Sequence, residues 1–294
     1  MGLSALLVSD KQGNAKASTR GTSDRTAPRF FFCVWQSTFQ HCSLESRAHR
    51  KAIMVKKTKA CGTVANFLKR LEELTKDVND DIQLFFRGHA SLDWELTPPL
   101  FRNSNADFRK NECRILKDAL IRFPDDFNDD KISLDVLVKA QHYGIPTRMM
   151  DITSNPLVAL FFACYTKKES AIKGNSIVYV FKVPKDEILY YDDKRVEKII
   201  RQINQNDANE QEKGEVLCVK AKYTNPRIEK QFGAFFLFGN GTNGKNIEAL
   251  LDSFKIQISD SYMSNILRQL DRCGISEDTL FPEIQSYANK LKNK

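Results

Sequence analysis

Residues 141–163 read Gln-His-Tyr-Gly-Ile-Pro-Thr-Arg-Met-Met-Asp-Ile-Thr-Ser-Asn-Pro-Leu-Val-Ala-Leu-Phe-Phe-Ala. Gly144 followed by Pro146 is a helix-stop signal. Glycine tolerates the left-handed position past the last turn, and proline cannot continue the ladder. Asn155-Pro156 is a helix-start signal: the amide side chain caps free N–H groups, and proline has no N–H to leave unpaired. Residues 147–152 have room only for a short strand. The expected local structure is helix, tight turn, strand, capped helix. Gln141, His142, Arg148 and Asp151 gather at element ends, where sites are usually built.

Upstream, Val64, Phe67, Leu68, Leu71 and Leu74 share one helical face, with Thr63 as cap. Residues 82–86 (Ile-Gln-Leu-Phe-Phe) read as a buried strand ending at Arg87-Gly88. Trp94-Glu-Leu suggests a short strand before the Pro98-Pro99 turn, with Trp94 in the core. Residues 107–123 read as one amphipathic helix, and Ser133 caps a helix running to Tyr143. Downstream come strands at 177–181, 216–223 and 234–238, and one carrying Phe254, Ile256 and Ile258. Residues 192–214 read as an exposed helix and a loose loop. Ile266, Leu267 and Leu270 mark a helix that Gly274 ends, with a last helix near 282–292. This order implies an α+β fold with a mixed, mostly antiparallel sheet flanked by helices. Neither GxGxxG nor GxxxxGK[ST] occurs, so no Rossmann or P-loop nucleotide site is expected.

The chain has 294 residues, 41% of them hydrophobic, with 20 Phe, enough for a substantial core. No apolar run is long enough to span a bilayer. Seven scattered cysteines without a CxxC read as reduced thiols in a cytoplasmic protein. The net charge is +8, but residues 1–53 hold eight Lys/Arg against three Asp/Glu, so +5 of it lies there. That segment reads as a disordered basic arm. Met54 is expected to be the natural start, the alternative being a basic targeting arm. Residues 54–294 form the folded domain.

Four histidines without metal-ligand spacing make a zinc site unlikely. Ser154, His142 and Asp151 have the residue types of a hydrolytic triad but lack a GxSxG elbow. Arg87 at a strand end is either an anchor for a phosphate or ribose or half of an ion pair with an acid such as Glu112 or Asp151. Arg148 and Asp151, three apart on a strand, face opposite sides and are expected to have separate partners. His142 is more often a structural histidine than an acid or base. Gln231 reads as a turn amide and Glu229 as surface charge.

On these residues the chain resembles the FRG domain family, named for a Phe-Arg-Gly motif, here Phe86-Arg87-Gly88. The stretch at 141–163 is similar to the family's second motif, with Ile152 where a Trp is usual and Met149-Met150 for two leucines. Arg227-Ile228 with Gln231, Gly233 and Phe235 is a third match. His89 departs from the Gln that often follows Phe-Arg-Gly. The motif order looks like that of ADP-ribosyltransferases, which cleave NAD and pass ADP-ribose to a nucleophile. The resemblance therefore implies an ADP-ribosyltransferase-like fold and an NAD-dependent transferase acting as a bacterial toxin or antiphage effector. RNA or another macromolecule is the implied acceptor, and an antitoxin or chaperone the implied partner. Arg87, Glu229 and Gln231 are the implied catalytic residues, with strand alternation placing 229 and 231 on one face. Arg87, Gly88, His142, Tyr143, Thr147, Arg148, Asp151, Ser154 and Asn155 are the implied NAD-binding set, with Gly88 letting a ligand approach the backbone. The alternatives are a hydrolytic NAD glycohydrolase on the same site and a non-catalytic nucleotide sensor. A nuclease would need clustered acids for Mg²⁺, and the sequence offers none.

Overall fold

In the computed structural model, three polar side chains set where helices begin. Thr63 Oγ1 accepts from the Asn66 amide at 3.1 Å and opens α1, Val64–Thr75. Ser133 Oγ accepts from Val136 at 3.2 Å and opens α4, Leu134–His142. Asn155 Oδ1 accepts from Leu157 at 2.9 Å and opens α5, Pro156–Ser170. Each bond satisfies an amide that the helix cannot pair internally. Gly144, at φ +86°, ends α4.

The structure describes residues 59–127, 131–170, 172–205, 214–242 and 251–283. The expected disordered arm at 1–53, the loop at 206–213 and most of the helix near 282–292 lie outside them. By internal contacts the chain divides into Met1–Val55 and Lys56–Lys294. The remaining helices are α2 Ala106–Lys110, α3 Glu112–Arg122, α6 Lys194–Asn204, α7 Pro226–Lys230, α8 Met263–Arg272 and α9 Glu277–Leu280. The strands are β1 Ile82–His89, β2 Met149–Thr153, β3 Ser176–Pro184, β4 Ile188–Tyr190, β5 Val216–Lys220, β6 Gly233–Phe238 and β7 Ser253–Ile258.

The fold is α+β around a seven-stranded mixed sheet in the order β4-β5-β6-β2-β1-β3-β7. β4–β5 is parallel and the other pairs are antiparallel. Apolar side chains of α3, α4 and α6 pack on the β4-to-β2 half through Leu217, Val219, Phe235 and Leu237. Those of α1, α5 and α8 pack on the β1-to-β7 half through Phe86, Val178, Val180 and Ile256. A third cluster, with Leu96, Leu100 and Phe101, covers the other strand parity at Phe85, Tyr179, Phe181 and Phe236.

The two halves meet weakly. β1 pairs with β3 over eight positions, but with β2 only at Phe86↔Thr153. The strands part from there, and no ladder closes the gap between Arg87–His89 and residues 149–151.

Several elements differ from expectation. β1 runs through Arg87 and Gly88 to His89, because β3 supplies partners along its whole length. The helix at 107–123 breaks at Asn111. Residues 94–96 form no strand, and Trp94 is 42% exposed rather than core. Leu68 is also exposed. The α6 helix is docked, not free, burying Val196, Ile199 and Ile203. Residues 226–230 are helical, which removes the strand alternation expected to align Glu229 with Gln231.

Candidate functional site

A cleft of about 1230 Å³ opens where β1 and β2 part. It exceeds the ~300–1,000 Å³ usual for small-molecule sites, so an extended ligand fits. Arg87, Gly88, His142, Tyr143, Asp151 and Gln231 line it, drawn from four places in the fold.

Arg87 spans the gap. Its Nη1 donates to the backbone carbonyl of Asp151, an acceptor that a ladder neighbour would otherwise use. The Asp151 carboxylate lies 3.9 Å away and is 66% exposed, so the ion pair itself is worth little. Gln141 Nε2 donates to Asp151 Oδ1 at 2.8 Å, and the buried Thr147 hydroxyl donates to Gln141 Oε1. Thr147 thus acts through Gln141 and does not line the cleft. Burial lowers the Arg87 pKa, opposed by Asp151 and reinforced by Arg102.

Arg87 Nε donates to His89 Nε2 at 2.9 Å. Accepting there requires His89 to be neutral with its proton on Nδ1. His89 is only 5% exposed, and its ring meets Tyr179 and Trp94 edge-on. Its Nδ1 has no hydrogen-bond partner of ordinary geometry among the described residues. Burial and then the Arg87 charge push the His89 pKa down to about 3, with the Trp94 backbone opposing and Arg102 adding to the drop. Unfolded, the ring would titrate near its ordinary 6.5. Between these values the unfolded chain binds the extra proton, so this contribution to stability is complete above the unfolded value and is lost as pH falls. Replacing His89 with Gln removes it. Denaturant titrations should show wild type losing about 2 kcal/mol more than His89→Gln between pH 7 and pH 5. Parallel curves would show that His89 is not held neutral.

Gly88 lines the cleft and also serves the packing of the fold. A Cβ there would lie 2.0 Å from the Ala159 carbonyl and 2.7 Å from the Ala163 amide, so its bareness serves the packing of α5 on β1. Arg148 turns away from the cleft, as residues three apart on a strand do. It is 6% exposed and pairs with Glu112, which is 7% exposed. Separate partners for Arg148 and Asp151 were expected and are found. Ser154 and Asn155 also lie off the cleft lining. Ser154 donates its amide to the Phe232 carbonyl, and Asn155 is consumed in capping α5.

On the far wall, Gln231 ends α7. Its Nε2 donates to the Leu280 carbonyl at 3.0 Å, and its own carbonyl accepts from Thr153 Oγ1 at 2.7 Å. Glu229, exposed on α7, is not part of the lining. A different carboxylate is: both oxygens of Glu283 are buried at the cleft without a hydrogen-bond partner among the described residues. His142 Nδ1 lies 3.0 Å from Asn225 Nδ2, and its pKa is lowered by burial and Arg227, against the field of Glu283. Arg227 sits 4.4 Å over the Phe281 ring. Tyr143 is exposed, with its hydroxyl 3.4 Å from Asp126.

The lining is therefore of mixed charge, with Arg87 and Arg102 at the β1 end and Asp126, Asp135 and Glu283 among the residues beyond. Sequence reading missed Glu283, Arg102 and Arg227 as cleft residues and placed Trp94 in the core. Among the described residues no group of His, Cys, Asp or Glu could hold a metal ion, and no helix is long and apolar enough to cross a membrane. Four of the described cysteines are buried, and burial raises the Cys218 pKa to about 12, leaving it an inert thiol.

No curated protein and no solved structure matches the chain. The model of the FRG domain matches residues 82–171. That segment opens on the first residue of β1 and includes β2, so it carries Arg87 and Asp151 but not Gln231 or Glu283. With the Phe-Arg-Gly strand at the cleft and the second motif bracketing it, residues 82–171 carry an FRG domain.

Proposed function

We propose that the protein is an NAD-dependent ADP-ribosyltransferase with an ADP-ribosyltransferase-like fold, acting as a toxin or antiphage effector. The observation that supports this reading is that Arg87, Asp151 and Gln231, three residues of the implied site that are far apart in sequence, line one cleft. NAD combines a cationic nicotinamide ring with an anionic diphosphate, and a mixed-charge, dinucleotide-sized cleft suits it. Loss of nicotinamide leaves an oxocarbenium-like ribose, which preorganised polar groups stabilise best in a site that excludes water. Arg87 holds the anionic part, and the Gln141–Asp151 pair fixes Arg87 and offers an acceptor to ribose hydroxyls. Gln231 shapes the opposite wall. Glu283 takes the role that sequence reading gave to Glu229: an acceptor-only group aimed at developing positive charge.

RNA as acceptor has support at the cleft margin. Tyr223 is exposed and is followed by the cleft residues Thr224 and Asn225, and Lys222 before it lies 4.5 Å over Tyr191. Aromatic rings beside lysines suit stacked bases and phosphates.

The two glutamates separate this assignment from its competitor. Glu283→Gln should lower nicotinamide release by about 100-fold or more, while Glu229→Gln leaves it near wild type. The reverse pattern would return the carboxylate role to Glu229.

A further inference from the structure

We propose that Arg102 joins Arg87, whose guanidinium His89 helps to hold, in a diphosphate subsite at the β1 end of the cleft, with the attached nucleoside ring over Trp94. The residues come from three short segments that the fold brings together. Arg102 follows the 3-10 turn Pro99–Phe101, whose Leu100 amide is tied to the Thr147 carbonyl at 3.0 Å. That bond sets Arg102 at the cleft. Its side chain is exposed and has no hydrogen-bond or ion-pair partner among the described residues. Asp93 and Glu95 also line this end, yet neither lies within ion-pair distance of it.

Arg87 commits Nε to His89 and Nη1 to Asp151, which fixes the plane of its guanidinium. His89, neutral and almost wholly buried, accepts from Arg87 through Nε2 and lies beneath the subsite. The field of Arg102 reaches both: it disfavours the charged forms of Arg87 and of His89. Two like charges are thus held at one end of a cleft, an arrangement that an anion relieves. A diphosphate matches it better than a single carboxylate, because two planar forks need several acceptor oxygens. Trp94, 42% exposed with its ring 6.0 Å from that of His89, offers a face beside the subsite for a purine or pyridine ring.

The ligand's identity as part of NAD rests on the proposed transferase reading, but the subsite can be tested apart from it. Calorimetric titration of the full chain with pyrophosphate, adenosine and ADP is compared between wild type and Arg102→Ala. The variant should melt as wild type does, since Arg102 is exposed and unpaired. Wild type should bind ADP at least tenfold more tightly than adenosine. Arg102→Ala should cut that advantage about tenfold, abolish pyrophosphate binding and leave adenosine affinity unchanged. No preference for ADP in wild type, or an ADP preference unchanged in Arg102→Ala, overturns the subsite. Nicotinamide release without an ADP preference would leave the transferase reading standing and remove this inference. ADP preference lost in Arg102→Ala, with no nicotinamide release from NAD, would do the opposite.

Discussion

Replacing Glu112 with Gln should cost about 3–5 kcal/mol of stability, the usual penalty for stranding a buried charge. Arg148 donates through Nε to both Glu112 oxygens, at 2.9 and 3.2 Å, and through Nη2 to Oε2. Its Nη1 reaches Asn240 Oδ1 at 3.2 Å and the Phe238 carbonyl at 3.4 Å. These bonds tie the start of α3 to β2 and to the end of β6, across the half of the sheet that forms one wall of the cleft. Glutamine keeps the shape but removes the counter-charge, leaving the guanidinium buried among dipoles. For a folded unit of this size the melting temperature should drop by about 6–20 °C. Arg148→Met, which strands Glu112, should cost a similar amount. The double variant Glu112→Gln/Arg148→Met should recover much of the loss, because no buried charge is then left without its counter-charge. If the single variants melt like wild type, the pair is not the structural clamp that its geometry indicates. The pair also explains why Arg148, for all its place in the second motif, serves the site only by holding β2 in place.

Gly88→Ala should be as damaging for a different reason. The added methyl would sit 2.0 Å from the Ala159 carbonyl, inside the backbone of α5, where no side-chain rotamer can relieve it. The helix must move off β1. The contact it would lose includes Val158, Ala159, Phe161, Ala163 and Cys164, all buried. Overpacking usually costs about 1–3 kcal/mol, and a clash with backbone belongs at or above the top of that range. The displaced α5 would also shift Phe162 and Thr166, which line the cleft. Thermal melting and nucleotide binding should therefore fall together. A Gly88→Ala protein with wild-type melting would mean that α5 is not seated on β1 as described.

The two predictions also mark what local sequence can and cannot reveal. Thr63, Ser133 and Asn155 were legible as caps because capping is settled within three residues. The separation of Arg148 from Asp151 was legible because strand periodicity is local. The α7 helix carried the same signal, Asn225-Pro226, as the start of α5. Asn225 Oδ1 accepts from Arg227 at 2.8 Å, and reading that signal would have kept Glu229 from being aligned with Gln231. Other features depend on partners remote in sequence. β1 extends past Arg87 because β3 pairs with it, and β4 is three residues that exist as a strand only beside β5. Trp94 looks like core in a list of apolar residues, but among the described residues it is left 42% exposed. Nothing around Glu283 distinguishes it from surface charge until Gln231 is seen bonded to Leu280 nearby. The role of Gly88 needed the path of α5. The missing β1–β2 ladder, which makes the cleft, is invisible in either strand alone.

The central claim is that Arg87, held across that gap, binds NAD for cleavage. Its most direct test is nicotinamide release from NAD by wild type and by Arg87→Ala, with both proteins checked for folding by melting. The account predicts release by wild type and its loss, by at least about 100-fold, in a folded Arg87→Ala protein. A wild-type protein that releases no nicotinamide, or an Arg87→Ala protein that releases it at the wild-type rate, would contradict it.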